Sequence, residues 1–166
     1  MKSLLALLSL FALPVMAAEP TIYGRYENIA LPEIGETLKA KMDTGAFTAS
    51  LSAKDIELFT RDGDEWVRFR LATKESDGKV YEHKVSRISK IKGRADEEEE
   101  GDAPEISKRP VVDLELCLGD EKRTVEVNLV DRSSFNYPLL VGAKALREFK
   151  AAVNPAKRFT AGKPDC

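Results

Sequence analysis

The sequence has few of the residues that bind metals and nucleotides. Its 166 residues include a single His, His83, and only two Cys. A zinc site needs several closely spaced His, Cys or acidic ligands, and no His-Glu-x-x-His segment occurs. No glycine-rich segment ends in Lys-Ser or Lys-Thr, the pattern that holds nucleotide phosphates. We therefore expect no metal and no cofactor, and we interpret His83 as an ordinary strand residue.

The chain also lacks a basic charge balance and a long hydrophobic run. Its formal net charge is −2, whereas a nucleic-acid-binding domain is usually basic, so we predict no nucleic-acid partner. Leu4 to Val15 is apolar but too short to span a membrane.

This apolar run has the flanks of a secretory signal. Lys2 precedes it, and Val15-Met16-Ala17-Ala18 offers a small-residue cleavage site. We predict a bacterial signal peptide over 1–18, cleaved near Ala17/Ala18, and a periplasmic or secreted mature chain over 19–166. That chain would have no membrane span after cleavage. An uncleaved anchor is the alternative.

The two cysteines leave two interpretations open. Cys117 lies in an apolar strand pattern and Cys166 is the last residue. In an oxidising compartment they could form a disulfide. Cys117 could equally be a plain buried core residue.

Residues 93–109 differ in composition from the rest of the chain. They contain six acidic residues between 96 and 102 and few apolar ones. Such a run repels itself and buries nothing, which predicts a mobile acidic loop. A metal-binding loop is the more specific alternative, but these residues lack the ligand spacing of a calcium-binding loop.

Alternating apolar and polar residues predict a β-rich domain. Val67, Phe69 and Leu71 share one face of a strand, and a turn signal at 76–79 follows. We therefore predict a hairpin over 66–91 with its tip at Asp77 and Gly78. The hairpin is either a flap over a cleft or simply one more hairpin.

The remaining patterns complete one domain with many strands and no internal repeat. Predicted elements are a strand over 21–31, a helical turn over 53–58, strands over 111–118, 124–130 and 139–141, a helix over 143–149, and a strand or coil over 152–159. The pattern indicates an all-β, closed β-barrel-like domain with one short C-terminal helix.

The segment Leu38 to Leu51 carries the best candidate for chemistry. A predicted strand ends in Asp43-Thr44-Gly45-Ala46. Gly45 lets the backbone turn and brings N–H groups near the carboxylate, and the Thr44 hydroxyl can brace the loop. Aspartic peptidases present their catalytic Asp in this way. An ordinary turn after a strand is the alternative.

The order of elements resembles the retropepsin fold, in which an apolar segment ending in Gly packs beside the Asp loop. Leu140, Val141 and Gly142 match that segment, and the predicted helix follows directly. The chain is similar to bacterial retropepsin-like aspartic endopeptidases, also labelled putative ATP-dependent zinc protease. The matching segments are 31–32, 41–46, 48–51, 109–112, 130–133 and 137–142. Ala143 departs from the family pattern, which usually has Arg there.

This resemblance implies an aspartic endopeptidase with Asp43 as catalytic residue and Thr44, Gly45 and Ala46 in its loop, and the predicted signal peptide implies that it acts in the periplasm. Only one Asp-Thr-Gly occurs, so the catalytic pair of carboxyls requires a homodimer. The expected substrate is an extended peptide or protein, cleaved with an acid-leaning pH optimum. The rival hypothesis is a non-catalytic periplasmic binding or interaction module with the same β-barrel fold. A weaker one is an envelope structural protein without a cleft.

Overall fold

The computed structural model describes residues 19–74, 78–92 and 106–166. Within these ranges the chain forms ten β-strands and one short helix. They are β1 (Thr21–Gly24), β2 (Tyr26–Leu31), β3 (Glu36–Asp43), β4 (Ala49–Arg61), β5 (Asp64–Leu71), β6 (Val80–Lys92), β7 (Ile106–Leu118), β8 (Glu121–Val130), β9 (Leu139–Gly142), α1 (Ala143–Glu148) and β10 (Ala151–Asn154).

Six of the strands close into a hydrogen-bonded ring. Its order is β2–β3–β9–β4–β8–β7, and β7 pairs back to β2. Strands β5 and β6 bridge β4 and β7 and form a second circuit. The β3–β9 and β4–β8 pairs are parallel, which brings distant segments side by side. The predicted all-β fold with one short late helix is confirmed, although the strands form a ring rather than a regular barrel.

The core follows the predicted alternation. Leu38, Ala40 and Met42 of β3 are buried, while the lysines between them are exposed. Strand β5 buries its apolar face in the same way. Strand β9 is buried along its whole length, as expected of a short apolar strand inside a sheet. No helix among the described residues is long and apolar enough to cross a membrane.

Two predicted elements differ from the structure. The strand predicted over 21–31 divides at Arg25, whose N–H donates to the carbonyl of Lys157. The helical turn predicted over 53–58 is wrong, because these residues continue β4. Asp55 has a φ of 52°, and the pairing of β4 with β5 shifts register there. This β-bulge interrupts the alternation of buried and exposed residues along β4.

The acidic loop predicted over 93–109 is only partly described. Residues 93–105 lie outside the described ranges. Residues 106–109 begin β7 and pair with the end of β6, so the loop prediction is wrong for these four.

The C-terminal segment is fastened to the ring at two points. Cys117 and Cys166 form a disulfide with a Cα–Cα distance of 6.0 Å, which resolves the two interpretations of the cysteines. The buried Glu27 carboxylate accepts hydrogen bonds from the N–H groups of Gly24, Thr160 and Ala161. These contacts satisfy a charge that would otherwise be costly to bury.

Candidate active site

Asp43 is the last residue of β3 and lies on the face opposite the core. Alternation along β3 puts Met42 inward, so Lys41 and Asp43 point the same way. The Asp43 side chain is 23% exposed. In the parallel pair of β3 and β9, Asp43 lies opposite Gly142. The two predicted motifs are therefore neighbours in the fold.

Two contacts hold the Asp43 carboxylate. The Gly45 N–H donates to Oδ1 at 3.1 Å, and the Lys41 ammonium lies 2.9 Å from Oδ2. Burial acts to raise the pKa of Asp43, but the Lys41 contact and the Gly45 N–H outweigh it, so the pKa lies below its usual value. In the single chain this carboxyl is held in its ionised form.

The second motif braces the Asp loop through the main chain. The N–H of Ala143 donates to the carbonyl of Ala46 at 2.7 Å, and that of Lys144 donates to the carbonyl of Phe47 at 3.0 Å. These are the free donors at the start of α1, where no side chain caps the helix. Ala143, the departure from the family pattern, thus contributes through its backbone.

Gly142 allows the loop and the helix to come this close. A Cβ added there would lie 2.7 Å from the carbonyl carbon and oxygen of Thr48, and 2.9 Å from the oxygen of Ala46. The need for glycine is steric, since its φ of −81° is open to any residue. Leu140 and Val141, just before it, are buried and support the same strand.

A cavity of about 500 Å³ opens beside the loop. It begins at Ala46, Phe47 and Thr48, which follow the Asp-Thr-Gly segment along the chain. Its other lining residues are Ser50, Arg87, Ser89, Ile91, Arg109, Glu126, Asn128, Arg132, Leu140 and Lys144. The lining therefore includes four cationic side chains, those of Arg87, Arg109, Arg132 and Lys144, and one carboxylate, that of Glu126.

The single carboxylate of the cavity is shared by two of the cations. Glu126 accepts a hydrogen bond from Arg87 at 2.7 Å and lies 3.0 Å from the Lys144 ammonium. Contacts from Arg87 and then Lys144 hold the pKa of Glu126 below its usual value despite burial. Arg109 and Arg132 have no carboxylate within 4 Å in the described part of the chain.

Only one of the two residues of the predicted flap tip, Gly78, is among the described residues. Asp77 lies outside the described residues. The Gly78 carbonyl accepts a hydrogen bond from Arg70 at 3.0 Å, near the β4 bulge, and Gly78 does not line the cavity. The 66–91 hairpin itself is present as β5 and β6. Strand β6 of the hairpin still reaches the cavity, through Arg87, Ser89 and Ile91.

The sequence predicted that Asp43–Ala46 and Leu140–Gly142 lie in one site, but it did not predict the cationic residues that line the cavity. These residues come from separate elements and carry no shared motif. The segments containing Arg109 and Arg132 were noticed only as matching segments, without a role. The sequence signal for these cationic residues was a polar side chain at alternate positions of a strand, and that pattern is equally typical of a strand face exposed to solvent.

Residues 19–74, 78–92 and 106–166 contain no group of three or more His, Cys, Asp or Glu that could hold a metal ion. His83 lies half-buried in β6 against Phe69. Burial lowers the pKa of His83, although the charge of Glu33 acts in the opposite direction.

Comparison with known proteins gives matches of three kinds. A family model described as RimB-like, retropepsin-like aspartic endopeptidase RimB, matches residues 22–164. The crystal structure of a protein of unknown function from Legionella pneumophila is similar, with a TM-score of 0.67 and 39% identity over 84% of this chain and 97% of that one. Two proteins named probable alpha-L-glutamate ligase, from Shewanella halifaxensis and Shewanella pealeana, are 33% identical over 89% of this chain. The chain spans only 31% of the length of each of these two relatives.

Proposed function

The chain belongs to the RimB-like family of retropepsin-like aspartic endopeptidases, and from that premise we propose that it hydrolyses peptide bonds as a homodimer. Each subunit would contribute one Asp43 carboxyl to the catalytic pair. The observation that carries the proposal is the placement of Asp43 on a loop braced by the second motif.

The exposure of the loop supports a shared site. Thr44 and Gly45 are exposed in the single chain, although the backbone around them is fixed by hydrogen bonds. A rigid, exposed tip is what a two-fold contact between two such loops requires. Thr44 would donate or accept a hydrogen bond across the axis, and Gly45 would leave room for the substrate backbone.

Hydrolysis would follow the chemistry of two carboxyls that share one proton. One, as carboxylate, would take a proton from the water that attacks the scissile carbonyl carbon. The other, as acid, would give its proton to the carbonyl oxygen. Two carboxylates this close cannot both ionise easily, so the pair titrates as a unit.

The ion pair between Lys41 and Asp43 opposes the sharing of a proton by two Asp43 carboxyls. A carboxylate paired with an ammonium at 2.9 Å does not readily hold a proton. Formation of the pair therefore requires Lys41 to release Asp43 in at least one subunit. The Lys41 side chain is 49% exposed, which leaves it free to turn towards solvent.

The proposed compartment is the periplasm or the exterior, following the signal peptide predicted over 1–18. The Cys117–Cys166 disulfide supports it, because such bonds persist in oxidising surroundings. A peptide or protein encountered there would be the substrate. Metal, cofactor and nucleic acid have no part in the proposal.

The test is a peptide-library cleavage assay from acid to neutral pH, with products read by mass spectrometry and molar mass by light scattering. The wild type is expected to cleave as a dimer, with or without a chelator. Asp43→Asn should abolish cleavage. Asp120→Asn, at an exposed carboxylate between β7 and β8, is the matched control and should cleave like the wild type. Cleavage by Asp43→Asn, or by a monomer, would contradict the proposal.

A non-catalytic binding module is the second candidate. Two observations favour it: the chain matches less than a third of relatives that are named for a ligase, and Lys41 already neutralises Asp43 in the single chain. A stable wild-type monomer that binds peptides and never cleaves them would support this candidate over the peptidase.

A further inference from the structure

Residues 155–166 form a strap that follows β10 and packs against the start of β2. All of them except Ala161 and Pro164 are exposed. The N–H of Phe159 donates to the carbonyl of Tyr26 at 2.7 Å, so the strap is attached there through the main chain. Because it buries little apolar surface, the strap belongs to the parts of the fold that open most easily.

Arg25 connects the strap to the residue before Asp43. Its N–H donates to the carbonyl of Lys157 at 2.9 Å, and its own carbonyl accepts a hydrogen bond from the N–H of Met42 at 2.9 Å. These two bonds join the strap, the interruption between β1 and β2, and the end of β3. A displacement of the strap therefore acts on the main chain that carries the Asp43 side chain.

The main chains of the strap and of β1 are in direct contact beside Arg25. A Cβ added at Gly24 would lie 2.7 Å from the Cα of Arg158 and 2.8 Å from the carbonyl carbon of Lys157. The Gly24 N–H also donates to the Thr160 hydroxyl at 2.9 Å. The strap cannot shift here unless Gly24 and Arg25 move with it or separate from it.

The strap holds one residue in a disfavoured conformation. Phe159 has a φ of 53°, in the left-handed region, where a bulky side chain crowds its own main chain. Its side chain is 40% exposed, so packing compensates little for this strain. Opening of the strap would relieve the strain, which favours the open form once the other attachments are weakened.

The attachment at Glu27 depends on the position of the strap. The fully buried carboxylate accepts hydrogen bonds from the N–H groups of Thr160 at 2.9 Å and Ala161 at 3.1 Å. These donors replace water around the charge only while the strap covers it. Once the strap loses its hold beyond Ala161, water can reach the carboxylate and replace both donors.

Two links fasten the far end of the strap beside Gly119. The N–H of Asp165 donates to the Gly119 carbonyl at 2.8 Å, and the disulfide joins Cys166 to Cys117. The two cysteines differ in access, because Cys117 is 2% exposed whereas Cys166 is an exposed residue. A reductant would therefore meet this disulfide at Cys166.

We propose that the Cys117–Cys166 disulfide is a site of thiol–disulfide exchange, through which a dithiol reductant releases the strap and loosens the Asp43 segment. The ring of strands would persist in the reduced chain, because its strand pairs do not include the strap. The effect of release on cleavage rests on the proposed peptidase function, whereas the release itself does not.

The exchange balances with a dithiol, free or within a protein, as the two-electron reductant. One thiolate attacks the Cys166 sulfur, and the Cys117 sulfur leaves with the electron pair of the broken S–S bond and takes a proton. The second thiol then attacks the mixed disulfide, which frees the Cys166 thiol and leaves the reductant oxidised. The Cys117 thiol can donate to the Gly119 carbonyl, 3.6 Å from its sulfur.

The experiment compares the oxidised and the reduced full chain by hydrogen exchange followed by NMR. Dithiothreitol is the reductant, and iodoacetamide labelling of an aliquot measures the fraction of reduced cysteine. Reduction should speed exchange at the amides of Arg25, Met42 and Phe159 by at least about tenfold, and reoxidation should reverse this. The amides of β5 and β6 should not change, because these strands pair only with each other, β4 and β7.

Three results of this experiment would overturn the proposal. The first is unchanged exchange at Arg25 and Met42 in the fully reduced chain. The second is an equal acceleration in β5 and β6, since the disulfide would then stabilise only the fold as a whole. The third is a disulfide that dithiothreitol cannot open until urea unfolds the chain.

Cys166→Ser separates the loss of the bond from other effects of the reductant. This variant should show fast exchange at Arg25 and Met42 without dithiothreitol and no further change with it. Asp165→Asn is the matched control, because it keeps both the disulfide and the main-chain bond to Gly119, and it should respond to dithiothreitol like the wild type. Slow exchange at both amides in Cys166→Ser overturns the proposal.

The two proposals fail separately. In the cleavage assay the reduced chain should be at least about tenfold slower than the oxidised chain, because the catalytic carboxyl is no longer held at one position. Exchange at Arg25 and Met42 that depends on reduction, without cleavage by either form, would retain the redox site and reject the peptidase. Equal cleavage by both forms would retain the peptidase and reject its regulation by the disulfide.

Discussion

Replacing Gly142 by Ala tests how the Asp loop is held. The new Cβ would meet the main chain of Thr48 at 2.7 Å, whereas ordinary contact begins at 3.4 Å. The obstacle is backbone, so β9 or the loop has to move. That movement would stretch the hydrogen bonds from Ala143 and Lys144 to the loop carbonyls.

The expected cost follows from these contacts. Overpacking costs about 1–3 kcal/mol, and weakening two hydrogen bonds costs about 0.5–1.5 kcal/mol each. Because the φ of Gly142 suits alanine, the loss of unfolded-state entropy returns about 0.4–1 kcal/mol. We expect a net loss in the free energy of unfolding of about 1–5.5 kcal/mol.

Urea unfolding measures this loss. With a slope of about 2 kcal/mol per molar urea, the midpoint should fall by roughly 0.5–3 M. Hydrogen exchange should show earlier loss of protection at the amides of Ala143 and Lys144. Cleavage should weaken too, because the loop that carries Asp43 is no longer held at one position.

Gly45→Ala is the matched control. It makes the same chemical change within the Asp loop, but among the described residues its added Cβ meets only Asp43 Oδ1, at 3.4 Å. We expect its stability to stay within about 0.5 kcal/mol of the wild type. If Gly142→Ala proves as stable as Gly45→Ala, the close backbone contact does not fix the loop and the reasoning is refuted.

Three further predictions concern charge and the disulfide. Lys41→Met should raise the pKa of Asp43, since the ammonium that lowers it is removed; a carboxyl NMR titration that shows no rise contradicts this. Glu126→Gln should lower stability at neutral pH by about 1 kcal/mol. The folded-state pKa of Glu126 lies below its usual value, so its contribution to the free energy of unfolding is present above the unfolded-state pKa and is lost as the pH falls through the folded-state pKa. Urea titrations at acid pH should therefore give the same free energy of unfolding for the variant and the wild type. Replacing Cys117 and Cys166 by Ser opens a bridge between residues 49 apart and should cost about 2–5 kcal/mol in thermal or urea unfolding; an unchanged midpoint would show that the hydrogen bonds to Glu27 suffice.

Sequence patterning was informative where one local rule decided the structure. Alternation in β3 specified which side chains enter the core, and hence that Asp43 faces outward. The short apolar run of β9 indicated a strand buried on both faces, and its final Gly indicated the close approach. Both motifs of the candidate site were found because each is contiguous in the chain.

Other features depend on contacts between distant segments. The bulge at Asp55 changes the phase of β4, and a single Asp with no Gly or Pro beside it does not distinguish a bulge from an ordinary strand position. Arg109 and Arg132 become neighbours only when β7 and the end of β8 are placed in the ring. Their common place in the cavity could not be predicted from local spacing, because an isolated Arg on a strand is usually a solvated residue.

The parallel pairing of Asp43 with Gly142 also has a consequence for the time course of folding. These partners lie almost a hundred positions apart, so their contact requires closure of a long loop. Contacts of this kind are slow to form, and we expect the Asp loop to be completed late, after the local β5–β6 and β7–β8 hairpins. Pulse-labelled hydrogen exchange would show early protection of the Asp loop if this order were wrong. A chain that is only partly folded would contain the Asp-Thr-Gly segment without the braced loop on which the proposed function depends.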